Sequence, residues 1–145
     1  MKLTCYLRKG IVYIPTLGMI ERGFYRYIEP VVVAQVSDRE GLRKAILDTI
    51  ARGNPLVPRI IGGDYGQHPM LKPAGLKSWS AFAKGAMPVS ATEQDGIYKI
   101  VGQRKRPDRG WHDDPEQIHI LPAGSTVDDL CDRLIEFLQT LAAKS

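Results

Sequence analysis

The densest run of chemically capable side chains is His112-Asp113-Asp114, followed closely by Glu116 and His119. Imidazoles and carboxylates in such proximity are the raw material of a metal site or of acid–base catalysis. Their spacing argues against both. The two histidines stand seven positions apart across Pro115 and do not share a helix face, as ligands at i and i+4 do. The run reads as a solvated loop, and a small metal-dependent hydrolase using His112, Asp113 and Asp114 is the competing reading.

Just before it lie Arg104, Lys105, Arg106 and Arg109, with Trp111 beside them. Cations that neutralise phosphates next to a ring that stacks on bases make a nucleic-acid patch. One short basic loop is also what an ordinary solvated turn looks like. Other candidates fail on pattern. Gly62-Gly63-Asp64-Tyr65-Gly66 lacks the lysine and hydroxyl of a phosphate-binding loop. Ser78 and Ser80 flank Trp79 without a nucleophile elbow. Cys5 and Cys131 have neither CxxC nor zinc spacing and read as buried thiols, although their spacing does not exclude a disulfide. No catalytic residue, metal or cofactor is implied.

The elements that must position these residues suggest α+β. Residues 3–7, 11–14, 24–27 and 31–36 are short runs rich in Val, Ile, Tyr and Phe, separated by Gly and Pro, and they predict four antiparallel strands. Ser37 with Glu40 fits a capping box, and Leu42, Ala45, Ile46, Thr49 and Ile50 then make one helical stripe ended by Gly53 and Pro55. Residues 54–78 are loop-like, with a short strand at 57–61. Ser78 caps a brief helix carrying Trp79 and Phe82. Strands at 88–92 and 97–102 join through Asp95-Gly96, a hairpin dipeptide. A polar loop over 104–116 leads to a strand at 117–121. Ser125 or Thr126 caps a last helix whose buried stripe is Val127, Leu130, Cys131, Leu134, Leu138 and Leu141. The expected fold is one domain, residues 1–145: a mainly antiparallel sheet with two long amphipathic helices and one short helix against it.

The chain has 145 residues, 43% hydrophobic and 25% charged, the composition of an ordinary globular domain with its own core. Arg8 and Lys9 interrupt the first apolar run, which argues against a signal peptide, and no apolar stretch suits a membrane span. The expected location is the cytoplasm.

Charge is uneven. Residues 1–111 carry eighteen Lys and Arg against nine Asp and Glu, a net of +9; residues 112–145 carry two against seven, a net of −5. The acids fall on Asp113, Asp114 and Glu116 and on the last helix at Asp128, Asp129, Asp132 and Glu136. Only Arg133 offers that helix a local counter-charge, so its polar face is expected to stay negative and to suit a basic protein partner.

Three stretches carry a resemblance: residues 1–15 (MKLTCYLRKGIVYIP), residues 23–58, ending RGNPLVP, and residues 121–138 (LPAGSTVDDLCDRLIEFL). Together they resemble immunity proteins of bacterial contact-dependent growth inhibition systems. The resemblance implies a cytoplasmic, non-enzymatic protein that binds the toxic C-terminal domain delivered by neighbouring cells and blocks its active site. Such toxins are often nucleases, tRNases among them. Because the family's contact surfaces vary with the toxin, it assigns no residue here, and the seven acids above are nominated on charge alone. Nuclease inhibitors are often acidic throughout, whereas this chain is net +4, and only its −5 tail fits that pattern. The alternative expectation is a nucleic-acid-binding accessory protein using residues 104–111.

Overall fold

The structure is a computed structural model and describes residues 1–60, 67–107 and 110–144. Six strands form one antiparallel sheet: β1 (Lys2–Arg8), β2 (Ile11–Glu21), β3 (Phe24–Gln35), β4 (Met87–Gln94), β5 (Ile97–Lys105) and β6 (Trp111–Ile120). Their spatial order is β3-β2-β1-β4-β5-β6, so β1 lies inside the sheet beside a strand some eighty residues away in sequence. Two hairpins turn on paired positive-φ residues, Lys9-Gly10 and Asp95-Gly96, the geometry that matches strand twist in two-residue turns.

Four helices accompany the sheet: α1 (Arg39–Arg52), α2 (Leu71–Ala74), α3 (Trp79–Lys84) and α4 (Val127–Lys144). Two are long, as expected, and two are short rather than one. Period-2 alternation divides the strand residues between the faces. Leu3, Cys5, Leu7, Val12, Ile14, Val89, Ala91 and Ile100 face α1 and α4 in the larger core. Tyr6 and Tyr13 point to the opposite face, where Met70, Leu71, Phe82 and Ala86 from the α2–α3 segment build a second core. Each fully buried Leu or Phe contributes about 1.5–3 kcal/mol.

The structure corrects several expectations. Residues 24–27 and 31–36 belong to one strand, not two. The register slips between Pro15 and Thr16, leaving Glu29 and Pro30 unpaired in edge strand β3, where a proline is tolerated as a bulge. The cap of α1 is Asp38, whose carboxylate accepts from the Gly41 amide at 3.0 Å. A helix starting one residue later than expected puts glycine, not Glu40, at the capped position, and a Cβ there would collide with the Asp38 carboxylate. Residues 57–60 of the strand expected at 57–61 are not strand, a single bridge joining Leu56 to Met19 just before them, and Ile61 lies outside the described residues. Ser78 does cap α3, accepting from the Ala81 amide at 3.2 Å. On α4 the cap is Thr126: its hydroxyl accepts from the Asp129 amide while Asp129 accepts from the Thr126 amide, a reciprocal box. Val127 is exposed, and Ile135 takes a place in the buried stripe.

The polar loop expected over 104–116 is largely strand. β5 runs to Lys105 and β6 begins at Trp111. A bulge explains the misreading. Gln103 pairs with Asp113 and Val101 with Ile118, so four β6 residues stand opposite Gly102 alone, and Pro115 fits inside the excursion. No helix among the described residues is long and apolar enough to cross a membrane.

Candidate partner-binding surfaces

The seven nominated acids do not form one surface. Asp128 and Asp132 face α1, whose Arg43 reaches both: Nη2 donates to Asp128 at 2.7 Å and Nη1 to Asp132 at 2.5 Å. Arg39 adds a 3.5 Å contact to Asp132. Three acids of α4, Asp128, Asp132 and Glu136, thus meet three arginines, Arg39, Arg43 and Arg133. Arg133 is the local counter-charge, but the expectation that the face therefore stays strongly negative fails, because further cations come from a helix some eighty residues upstream. Asp129 holds the α4 cap described above.

Asp114 is buried and closes the β6 bulge, accepting from the Glu116 amide at 3.0 Å and from Gln117 Nε2 at 3.2 Å. Its role is local scaffolding, and burial leaves it no surface to offer a partner. Asp113 accepts from Gln103 Nε2 at 3.0 Å on the second sheet face. Glu116 and Glu136 remain. They line a cleft of about 320 Å³ between β6 and α4, together with His119, Arg133, Phe137 and Lys144. Arg133 stands 4.0 Å from Glu136, and among the described residues no cation pairs with Glu116. The cleft runs beside β6, an edge strand with one side unpaired.

The basic run is partly engaged. Arg104 Nε donates to His112 Nε2 at 2.8 Å, and Lys105 Nζ donates to the Lys84 carbonyl at 2.8 Å. Arg106 is exposed, its amide closing a turn onto the Gly110 carbonyl, and Arg109 lies outside the described residues, as does the glycine run 62–66. Trp111 belongs to the second core, edge-on to Tyr6 and Trp79 at 6.0 Å, with its indole N–H buried. Its ring is packed rather than open for a base. His112 pairs with Arg104, while His119 meets the Phe137 ring at 5.2 Å, so the two histidines do not converge. Among the described residues no three His, Cys, Asp or Glu side chains are arranged to hold a metal.

Sequence reasoning missed two features of the second face. One is the aromatic cluster. Tyr6 and Tyr27 share a 2.6 Å hydrogen bond, and burial pushes both phenols up. His68 stacks on Trp79 at 4.0 Å, and burial pushes its imidazole below the usual range. The other is a groove of about 490 Å³ floored by the central strands, with Lys2, Arg26, Ser90, Thr92 and Lys99 around it and Asp113 at one side. A signal existed: Lys2, Thr4, Ser90, Thr92 and Lys99 are polar at alternate positions of strands whose other residues are buried. On the opposite face, Cys5 and Cys131 are free buried thiols, both pushed up by burial.

No protein-family model matches the chain, and no curated protein does. Among solved structures, a protein of unknown function from Neisseria meningitidis, NMB0488, is similar at 15% identity and a TM-score of 0.67. The match covers 97% of this chain and 93% of that one. At that identity it shows a shared fold and nothing about activity.

Proposed function

We propose that this chain neutralises a toxic protein domain by binding it in the cytoplasm, as the resemblance to contact-dependent growth inhibition immunity proteins implies. The structural observation that supports the reading is the β6–α4 cleft. An edge strand offers unpaired backbone groups for a partner to meet. Glu116 and Glu136 stand beside it with a hydrophobic wall at Phe137 and Leu141. Arg133 and Lys144 line the same cleft and Arg133 pairs with Glu136, so Glu116 is the carboxylate left to attract a basic partner and speed its approach. The nucleic-acid reading is weaker, since Trp111 is packed and Arg104 and Lys105 have internal partners.

The test is co-purification with the toxin domain encoded next to this gene, and survival of cells expressing that domain when this chain is also made. Charge reversal at Glu116 and Glu136 weakens the complex and leaves the fold intact, because neither side chain caps a helix or clamps two elements. The reading fails if no complex forms, or if the toxin still kills protected cells.

A further inference from the structure

We propose that the groove on the second sheet face is a second recognition site, which takes an acidic segment of a protein partner. Its floor is built by register. Lys2 stands opposite Thr92 on β4, and Thr92 opposite Lys99 on β5, so two ammonium groups flank one hydroxyl across three adjacent strands. Ser90 lies in the next row, between Thr4 and Val101. Asn54 fixes this end of β1, accepting from the Lys2 amide and donating to the Lys2 carbonyl, both at 3.0 Å. Arg26 adds a third cation from the β2–β3 hairpin.

Two observations point to an anionic occupant. Three cations face one carboxylate, Asp113, and that one is held by Gln103. The Arg26 Nε–H is also buried with no acceptor. Arg26 lines the groove half-buried and pairs with no acid among the described residues, so a carboxylate entering the groove gains a charge-assisted bond that no protein group supplies. The groove's volume is in the range of ordinary ligand sites.

The same residues favour a peptide over a nucleic acid. Base stacking needs open rings in series, yet Lys2 Nζ sits over Tyr25 at 5.1 Å and Tyr27 packs against His68 at 5.5 Å, which leaves Phe24, 62% exposed at the rim, as a single open ring among the described lining residues. Asp113 repels a continuous polyanion at one side, while an isolated carboxylate between Lys2 and Lys99 avoids it. Ser90 and Thr92 donate and accept, which suits peptide amides on either side of an acidic side chain.

The proposal rests on the reading of the chain as a protein-binding domain, but its test needs no toxin. A capped hexapeptide of alternating Gly and Glu is titrated to about 5 mM into the full chain labelled with nitrogen-15, at low salt. Amide shifts are expected at Lys2, Arg26, Ser90, Thr92 and Lys99, fading with added salt. The Gln counterpart of the peptide leaves them unmoved. Lys2→Gln with Lys99→Gln weakens binding by about ten-fold, and Arg26→Gln alone weakens it in the same direction if that pair unfolds the chain. The proposal is overturned if no shifts appear, if they fall in the β6–α4 cleft, or if the neutral peptide gives the same pattern. Tighter binding of oligouridylate to the groove overturns it in favour of nucleic acid. Toxin binding without groove shifts removes this site alone; groove shifts without toxin binding remove the neutralising function alone.

Discussion

Replacing Arg43 with alanine separates what the α1–α4 contact does for the fold from what it does for a partner. Its guanidinium spans two carboxylates at 2.5 and 2.7 Å, but the three side chains keep 35% (Arg43), 70% (Asp128) and 48% (Asp132) of their exposure. Pairs this wet contribute about 0.2–1 kcal/mol each, and only the Asp132 contact is partly sheltered. The expected loss for Arg43→Ala is therefore about 1 kcal/mol, read as a lower midpoint in urea with an unchanged slope. A double-mutant cycle with Asp132→Asn is expected to return most of that as coupling, and the same cycle with Asp128→Asn less. High salt shrinks both.

The substitution also strips one positive charge from the α4 face while leaving Asp128 and Asp132 in place. One extra unit of negative charge about 8 Å from a cation in water is worth about 0.5 kcal/mol. A toxin domain that approaches this face with basic residues then associates about two-fold faster at low salt, measured by stopped-flow fluorescence. A stability loss above about 3 kcal/mol refutes the solvent-screened account of the clamp, since that is how a buried pair behaves. A slower association refutes the view that the paired arginine masks a useful carboxylate.

Three further outcomes follow from the packing. His68 is held neutral by burial against Trp79, so the unfolded chain binds its proton more readily than the folded one. The contribution is whole above the ordinary histidine value of 6.5 and is lost as pH falls from there through the depressed folded value; His68→Phe flattens that segment of the urea-midpoint profile. Cys5 and Cys131 are expected to ignore a thiol reagent in native buffer and to react together in denaturant, and reaction of one alone in native buffer contradicts the buried placement. Gly102→Ala puts a Cβ 2.9 Å from the Phe137 ring and onto the Gln117 amide, a cost of about 1–3 kcal/mol that Gln117→Ala partly restores.

How much of this was legible follows from where each signal resides. Helix α4 carries its stripe, its threonine cap and its acids within one continuous segment, so its existence and start were readable. The Asp95-Gly96 hairpin was readable for the same reason. What escaped was set by partners remote in sequence. Nothing near Asp128 or Asp132 announces Arg43, because the pairing depends on α1 and α4 lying side by side on one sheet face. The bulge over residues 114–117 hid a strand, since Pro115 and the surrounding charges imitate a loop. Glu116 and Glu136 were nominated for their charge, which is also why Asp114 was nominated beside them. Sequence cannot distinguish a carboxylate facing solvent from one folded back onto its own backbone.

The same limit explains why whole-chain charge misleads. The split into +9 and −5 assumes that neighbours in sequence are neighbours in space, and the fold breaks that assumption on both sides of the sheet. Arginines from the basic portion cover the acidic helix, and Asp113 from the acidic portion stands at the cationic groove. What remains after these cancellations is narrower and more informative. One cleft on the α4 side keeps a carboxylate, Glu116, with no cation paired to it among the described residues, and one groove on the opposite face keeps two lysines and an arginine with an unsatisfied donor. An interior strand such as β1 or β4 gains nothing for the core from Lys2, Ser90 or Thr92, and the α2–α3 segment shows that this face accepts an aromatic cover where the strands carry Tyr6 and Tyr13. Polar residues on the uncovered half are therefore better understood as suited to an occupant than as a face the chain failed to cover.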